Sequence, residues 1–376
     1  MRMYLLLFFL INTNLLLSQT GNEDWIRFED KKTFLMGYKN TKGEIKIKPK
    51  FTFITNAIVF KNIMSVFEEM NPKDRENSKM KAYYLLKNGR QIGLDSLYVH
   101  DFTLDCEQEN KIRFRDPKTD KVGFFDRNGK VVIPAIYNDA KPFYNGFTVV
   151  ITQGKRICWD NNQEFSKENP CEHWSWKGNI QIINDKNEVI ADSVSYEKLN
   201  AIDWFSVKVN SAEITSNEVT FQSSNGTTYS FLSYEKQFEN WFNKVFLKGV
   251  SENNVIDFLS DTLTYDVNET AALNTKLKFK DSFWKQEPKE KFVLKNKDFL
   301  AQTIKAYRQG TTHITEGIAP VLSTYENAPN YFSSCGEYQN VRYPYFQVYL
   351  LDKDQRAQKT LGFIREGMEF KLLEMY

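Results

Sequence analysis

The chain repeats itself, and that constrains its fold more than any other feature. Lys121 to Val150, KVGFFDRNGKVVIPAIYNDAKPFYNGFTVV, has a counterpart in Met36 to Phe67, MGYKNTKGEIKIKPKFTFITNAIVFKNIMSVF. Gly37, Gly43, Ile45, Ile47 and Phe51 fall opposite Gly123, Gly129, Val131, Ile133 and Tyr137. After a three-residue insertion, Asn56, Ala57, Phe60, Asn62 and Val66 fall opposite Asp139, Ala140, Phe143, Asn145 and Val149. Self-similarity at this density predicts an array of supersecondary units.

Each unit reads as a β-hairpin. In the second copy a β-prone stretch runs into Asn128-Gly129 and then Lys130 to Ile133, which predicts a type I′ turn with φ > 0 at both central residues. Pro134 is expected to end the second strand, because it has no ladder donor. The first copy uses Lys42-Gly43 and Pro49 in the same way. Lys87-Asn88-Gly89, after Tyr83 to Leu86, marks a third unit that closes with Ile112 and Phe114. A fourth runs from Trp174 and Gly178 through Ile180 to Ile190, with Asn187 in the glycine slot, and Asn225-Gly226 turns a last hairpin. Gly43, Gly89 and Gly129 are therefore the expected structural turn residues.

These residues resemble the WG-repeat (KWG) family over about residues 25–215. The matching positions are Gly123, Asn128-Gly129, Ile133-Pro134, Tyr137, Asp139-Ala140 and Phe143; Met36 and Val122 stand where the family has its tryptophan. The resemblance implies a repeat module. It carries over no catalytic residue.

Arg2 is followed by the apolar run YLLLFFLINTNLLLSQ with Ser18 at the expected cleavage point, so residues 1–18 read as a signal peptide. The mature chain is expected to be exported to the periplasm, the outer surface or the medium, with no transmembrane segment. The formal net charge of +2 becomes +1 when Arg2 is removed, and that near-balance gives no support for nucleic-acid binding. Alternating lysines such as Lys46, Lys48 and Lys50, or Lys276, Lys278 and Lys280, read as solvated strand faces. The four cysteines allow three pairings; Cys158 and Cys171 bracket one polar loop and are the expected disulfide.

The chemistry searches return little. Cys171-Glu172-His173 lacks the further ligands a zinc site needs, so no metal and no cofactor are expected. His100 and His313 are isolated. Asp257 and Asp261 are four apart, as on one helical face, and read as solvated. Asn225-Gly226-Thr227 and Asn268-Glu269-Thr270 match the short glycosylation pattern.

After Ser223 to Thr228 the period changes. Tyr234, Phe238, Trp241, Phe242, Val245 and Phe246 form a helical stripe ended by Gly249; Ser251 is placed to cap a second short helix with Val255, Ile256 and Leu259. A third helix is expected from Asp298 to Gln309, stopped by Gly310. Strands at Tyr343 to Leu351, Lys359 to Arg365 and Glu369 to Met375 complete an antiparallel meander. This layout resembles the NTF2-like cone. Tyr343, Tyr345 and Tyr349 share one strand face and form the candidate binding site, either lining a pocket or facing a second layer.

The sequence thus predicts a mainly β protein: an array of antiparallel hairpin repeats at 25–228, a propeller-like arc or a stack, then an α+β domain at 229–376. The expected function is that of an exported non-catalytic scaffold binding a protein or a glycan at the cell envelope. The alternative is a small-molecule-binding protein or enzyme with its pocket in the carboxyl-terminal domain.

Overall fold

A computed structural model describes residues 23–71, 79–199, 202–251, 253–266, 284–321, 328–367 and 369–376. The leader, the lysines at 276, 278 and 280, and the Asn268 motif lie outside the described residues.

The hairpins are present, but their turns are built differently from the expectation. Gly129 has φ 74°, whereas Asn128 is absent from the positive-φ residues. The Gly129 amide donates to the Asp126 carbonyl at 2.9 Å and the Asp126 amide to the Lys130 carbonyl at 2.8 Å. That is a type I turn followed by a left-handed residue, forming a bulge, rather than type I′. The Asp126 carboxylate locks it by accepting from the Asn128 and Lys130 amides. The Asn40 side chain does the same for Lys42 and Glu44 at the Gly43 turn. Asn184 serves Lys186 and Glu188, with Asn187 at φ 66° in the glycine slot. Asparagine tolerates that region better than most side chains. Gly89 and Gly226 both sit at φ 84°.

Pro49 and Pro134 do not end strands: Ile45–Phe51 and Val131–Tyr137 run through them. Both prolines lie where pairing with the neighbouring strand slips, between Met36 and Tyr38 and between Val122 and Phe124. At that slip the neighbouring strand carries Gly37 or Gly123. A Cβ on Gly123 would lie 2.6 Å from the Ile133 carbonyl oxygen and 2.7 Å from the Ala135 nitrogen; on Gly37 it would lie 2.7 Å from the Ile47 oxygen. The bulge needs a strand with no side chain beneath it. Gly123→Ala is therefore expected to cost about 1–3 kcal/mol through backbone displacement. Gly129→Val should cost a similar amount through φ strain and its approach to Ile92. Urea midpoints check both, with Lys48→Thr as a surface control expected to leave the midpoint unchanged.

Burial corrects one repeat alignment. The Asn145-Gly146 turn is one residue longer than its counterpart at Asn62, so Val150, buried at 0 %, stands opposite Val66, also 0 %; Val149 is only partly buried. Asn145 and Gly146, at φ 51° and 77°, form the type I′ turn expected elsewhere.

The array comprises a seven-stranded sheet containing the first unit and the strands Met80–Leu86 and Gln91–Ile92 of the third, then sheets of three, four and three strands, with a small two-stranded hairpin at Val99–His100 and Thr103–Leu104. Ile112 and Phe114, expected to close the third unit, lie instead in Lys111–Asp116, which pairs with Lys121–Asp126 of the second copy. Hydrophobic clusters sit between successive sheets. Tyr84 and Leu86 pack with Phe114 and Phe125; Tyr137 and Phe143 with Val150 and Ile183; Ile182 with Trp204 and Phe231. Each unit thus buries its apolar face against its neighbours.

The carboxyl-terminal part is a six-stranded mixed sheet, larger than the expected meander. Its order is Trp284–Pro288, Leu259–Asp266, Glu369–Met375, Ala357–Glu366, Tyr345–Leu351, Thr311–Glu316, with one parallel pair between Leu259–Asp266 and Glu369–Met375. Short, mixed-polarity strands such as Thr311–Glu316 carry too little alternation to be read from sequence. The expected stripe is a helix at Tyr234–Trp241 continued by a π-helical segment, Phe242–Phe246, and of the stripe's named residues Val245 is exposed to solvent. Phe238 stacks on Phe346 at 4.4 Å, and Phe242, Phe246 and Phe363 complete a closed aromatic core. Helices Lys289–Lys295 and Lys297–Gln309 join it. A small void of about 10 Å³ lies against Phe299 and Thr303, and the helix-covered sheet face is occupied by buried side chains, Phe238, Phe242, Phe292 and Leu300 against Phe346, Phe363 and Leu372.

Asp257 and Asp261 share no helix. Asp257 lies in a 3-10 turn, Val255–Phe258, and Asp261 in the following strand, where Lys289 pairs with it at 2.8 Å. The sequence boundary at 229 falls inside strand Thr228–Ser233; the helix begins at its cap, Ser233, whose side chain accepts from the Lys236 amide.

Candidate functional site

Residues 328–343 leave the carboxyl-terminal sheet and run as a strap along the array. The strap is shaped by its own polar groups: Ser333 accepts at its side chain from the Cys335 and Glu337 amides, and Phe332 bridges to Tyr338 across a turn holding Gly336 at φ 80°. At the first unit, the Ser334 carbonyl accepts from Ile58 and Val59 at 2.8 and 2.9 Å. Next, Cys335 is bonded to Cys106 with Cα atoms 6.1 Å apart. At the last unit, Val341 packs on the Trp204 and Phe231 cluster and Arg342 lies 4.6 Å over Phe205.

Facing the strap is Cys106–Asn110. Its two glutamates grip equivalent turns of two repeats. Glu107 accepts from the Asn62 and Ile63 amides at 3.0 and 3.1 Å, and Glu109 from the Asn145 and Gly146 amides at 2.5 and 2.9 Å. Glu109 and Asn110 form their own left-handed turn at φ 50° and 58°. Below, the buried Asp105 is paired with Arg113, whose guanidinium lies 4.1 Å over Tyr98.

Between strap and array lie two adjoining cavities, about 420 and 330 Å³, sharing Gln108, Ser333 and Gln339. The first is bounded by Lys61, Asn110, Asn330, Phe332 and Tyr343; the second by His100, Lys141, Tyr144, Glu337 and Tyr338. Both are of ligand size. Partial burial in the wall, then the Asp105 charge, raise the Glu337 carboxyl above its usual range, with Arg113 and His100 opposing. Burial pushes the Tyr144 hydroxyl up to about 12.

The three candidate tyrosines do not form one surface. Tyr345 is 0 % exposed and donates to Glu374 at 2.5 Å; its ring fills the space left by Gly362 and Gly317, where a Cβ would clash with it. Tyr349 is half-buried and donates to Gln347 at 2.8 Å, with its ring against His313. Tyr343 precedes the strand and lines the first cavity. Period-two reasoning placed Tyr345 and Tyr349 on one face correctly, yet could not show that glycines on neighbouring segments would admit a ring.

Cys158 and Cys171 are paired as expected, Cα atoms 5.9 Å apart. Among the described residues the one metal-type grouping is Cys158, Asp160 and Cys171, and its two sulfurs are joined to each other, so they offer no thiolates. Sequence reasoning left Cys106 and Cys335 unassigned and so missed the cleft. Its signal was the polar, cysteine-bearing stretch Ser333 to Asn340 just before the apolar strand Tyr345 to Leu351.

Hairpin units stacked through shared cores and turned by recurrent Asx-locked bulges define a β-repeat scaffold. The family described as WG containing repeat matches residues 36–57 and 123–155, which hold the two bulged hairpins, so the chain carries WG-type repeats in these two segments. No curated protein matches the chain.

Proposed function

We propose that this is an exported, non-catalytic scaffold that binds a protein or glycan partner at the cell envelope through the cleft between strap and array. The supporting observation is the cleft itself: separate parts of the chain meet there, a disulfide fixes them, and several rim groups face open space. Two disulfides among the described residues fit an oxidising compartment. No helix of the described residues is long and apolar enough to cross a membrane. Against the alternative, a pocket in the carboxyl-terminal domain, stands the filled helix-covered face of its sheet.

The test joins compartment and cleft. Intact mass of the chain from fractionated host cells should show a start near Gln19 outside the cytosol, and a photo-reactive side chain at Asn330 should cross-link to envelope material while one at Lys48 does not. A chain starting at Met1 and confined to cytosol, or equal cross-linking at the two positions, overturns the reading.

A further inference from the structure

We propose that the ligand of the cleft is a neutral oligosaccharide, an assignment that rests on the cleft being the binding surface. Three features of the walls lead to it.

The first is charge. In the first cavity Lys61 and Arg342 balance Glu107 and Glu109, and in the second Arg113 and Lys141 nearly balance Asp101, Asp105 and Glu337. A polyanion would need an excess of cations, and nothing supplies one.

The second is the type of wall. Leu104 is the sole aliphatic Leu, Ile, Val or Met side chain lining either cavity, so an apolar peptide side chain or an acyl chain finds no seat. What the walls offer instead is planar amides at Gln108, Asn110 and Asn330, and aromatic rings. Phe332 and Tyr338 pack edge to face at 5.7 Å and present one ring to each cavity. Amides that both donate and accept match hydroxyl groups, and flat rings match the C–H face of a pyranose. Three of the wall acids, Glu107, Glu109 and Asp105, are spent on turn amides and on Arg113 and hold the walls in place, which leaves Asp101 and Glu337 apart from them. The side chains of Lys61, Asn110 and Asn330 around the first cavity, and of His100, Lys141 and Glu337 around the second, show no hydrogen bond or ion pair within the described structure.

The third lies in the hairpin that walls the second cavity. Phe102, at the tip of the Val99–His100 and Thr103–Leu104 hairpin, is 92 % exposed with φ 61°, beside Asp101 at φ 45°. This turn type favours Asn-Gly, and a bulky ring there is strained as well as bare to water. The fold gains nothing from it. His100, Asp101 and Thr103, on the same hairpin, line the second cavity and flank Phe102, whose own side chain is not part of the lining. Strain and exposure kept in a segment whose neighbouring residues wall a cavity point to a ligand that extends past those residues to the ring.

The test is titration calorimetry of the full exported chain with cellohexaose, chitohexaose, maltohexaose and laminarihexaose at up to millimolar concentration, with polygalacturonate as an anionic counter-probe. At least one neutral hexaose should bind, and Phe102→Gly and Asn330→Ala should each weaken it by about tenfold or more. Phe102→Gly relieves backbone strain, so its melting temperature should hold or rise, which separates lost binding from lost folding. Silence from every hexaose, binding of the polyanion alone, or hexaose binding untouched by both variants overturns the assignment. Silent hexaoses together with an envelope protein cross-linked at Asn330 would overturn the sugar while leaving the cleft as the binding surface.

Discussion

Replacing Cys106 and Cys335 together by serine should lower the stability of the folded chain by about 5 kcal/mol, the largest loss expected from any pair of side chains here. The bond joins positions 229 apart in sequence, so its absence frees a very long loop in the unfolded chain. The Cys158 and Cys171 bond spans 13, and the same reasoning gives about 3 kcal/mol for its removal. Denaturant unfolding of the two double-serine variants, beside the parent, measures both. Equal losses would mean that loop entropy is not what the longer bond contributes, and that the strap is held as firmly by its hydrogen bonds to Ile58 and Val59.

Asp203→Ala should cost about 3–5 kcal/mol, because it removes the carboxylate that faces a buried guanidinium. The Arg365 Nη1 lies 3.2 Å from the Asp203 carboxylate with both side chains under a tenth exposed, and the guanidinium stacks 4.7 Å over Tyr234. Asp203 belongs to the last repeat sheet, Arg365 to the carboxyl-terminal sheet. Adding Arg365→Met to Asp203→Ala should recover part of the loss, since a pair of apolar groups suits a buried site better than a guanidinium that has lost its facing carboxylate. A double variant as unstable as the sum of the two single ones would show that the residues act independently. The same pair, with Cys335, argues that a fragment starting at Tyr229 is not self-sufficient. Such a fragment removes both Asp203 and Cys106 and starts within a strand.

Local signals were the most legible. Gly43, Gly89 and Gly129 turn hairpins as their sequence contexts indicate, and the Phe238 stripe packs on the strand that holds Phe346. The type of turn was not legible, because Asn128-Gly129 suits two turn families and the choice is made by Asp126, three residues before the glycine. Nor could sequence show that Pro134 rides a bulge, since the reason lies on another strand, at Gly123. The cleft was hidden for a similar reason. Its walls are about 230 residues apart along the chain, and the residues that build them, Glu107, Glu109 and Ser333, look like ordinary loop residues until the turns they hold are in view.

The strap has one more consequence. Arrays of stacked units ordinarily gain and lose members during evolution without harm, because each unit answers only to its neighbours. Here a single segment of fixed length is fastened near the first unit at Ser334, at Cys106 in the middle, and beside the last unit at Val341. It works as a ruler. Duplicating or deleting one hairpin would leave the ruler too short or too long for its fastenings, so the number of hairpins in this chain is set by its carboxyl-terminal half.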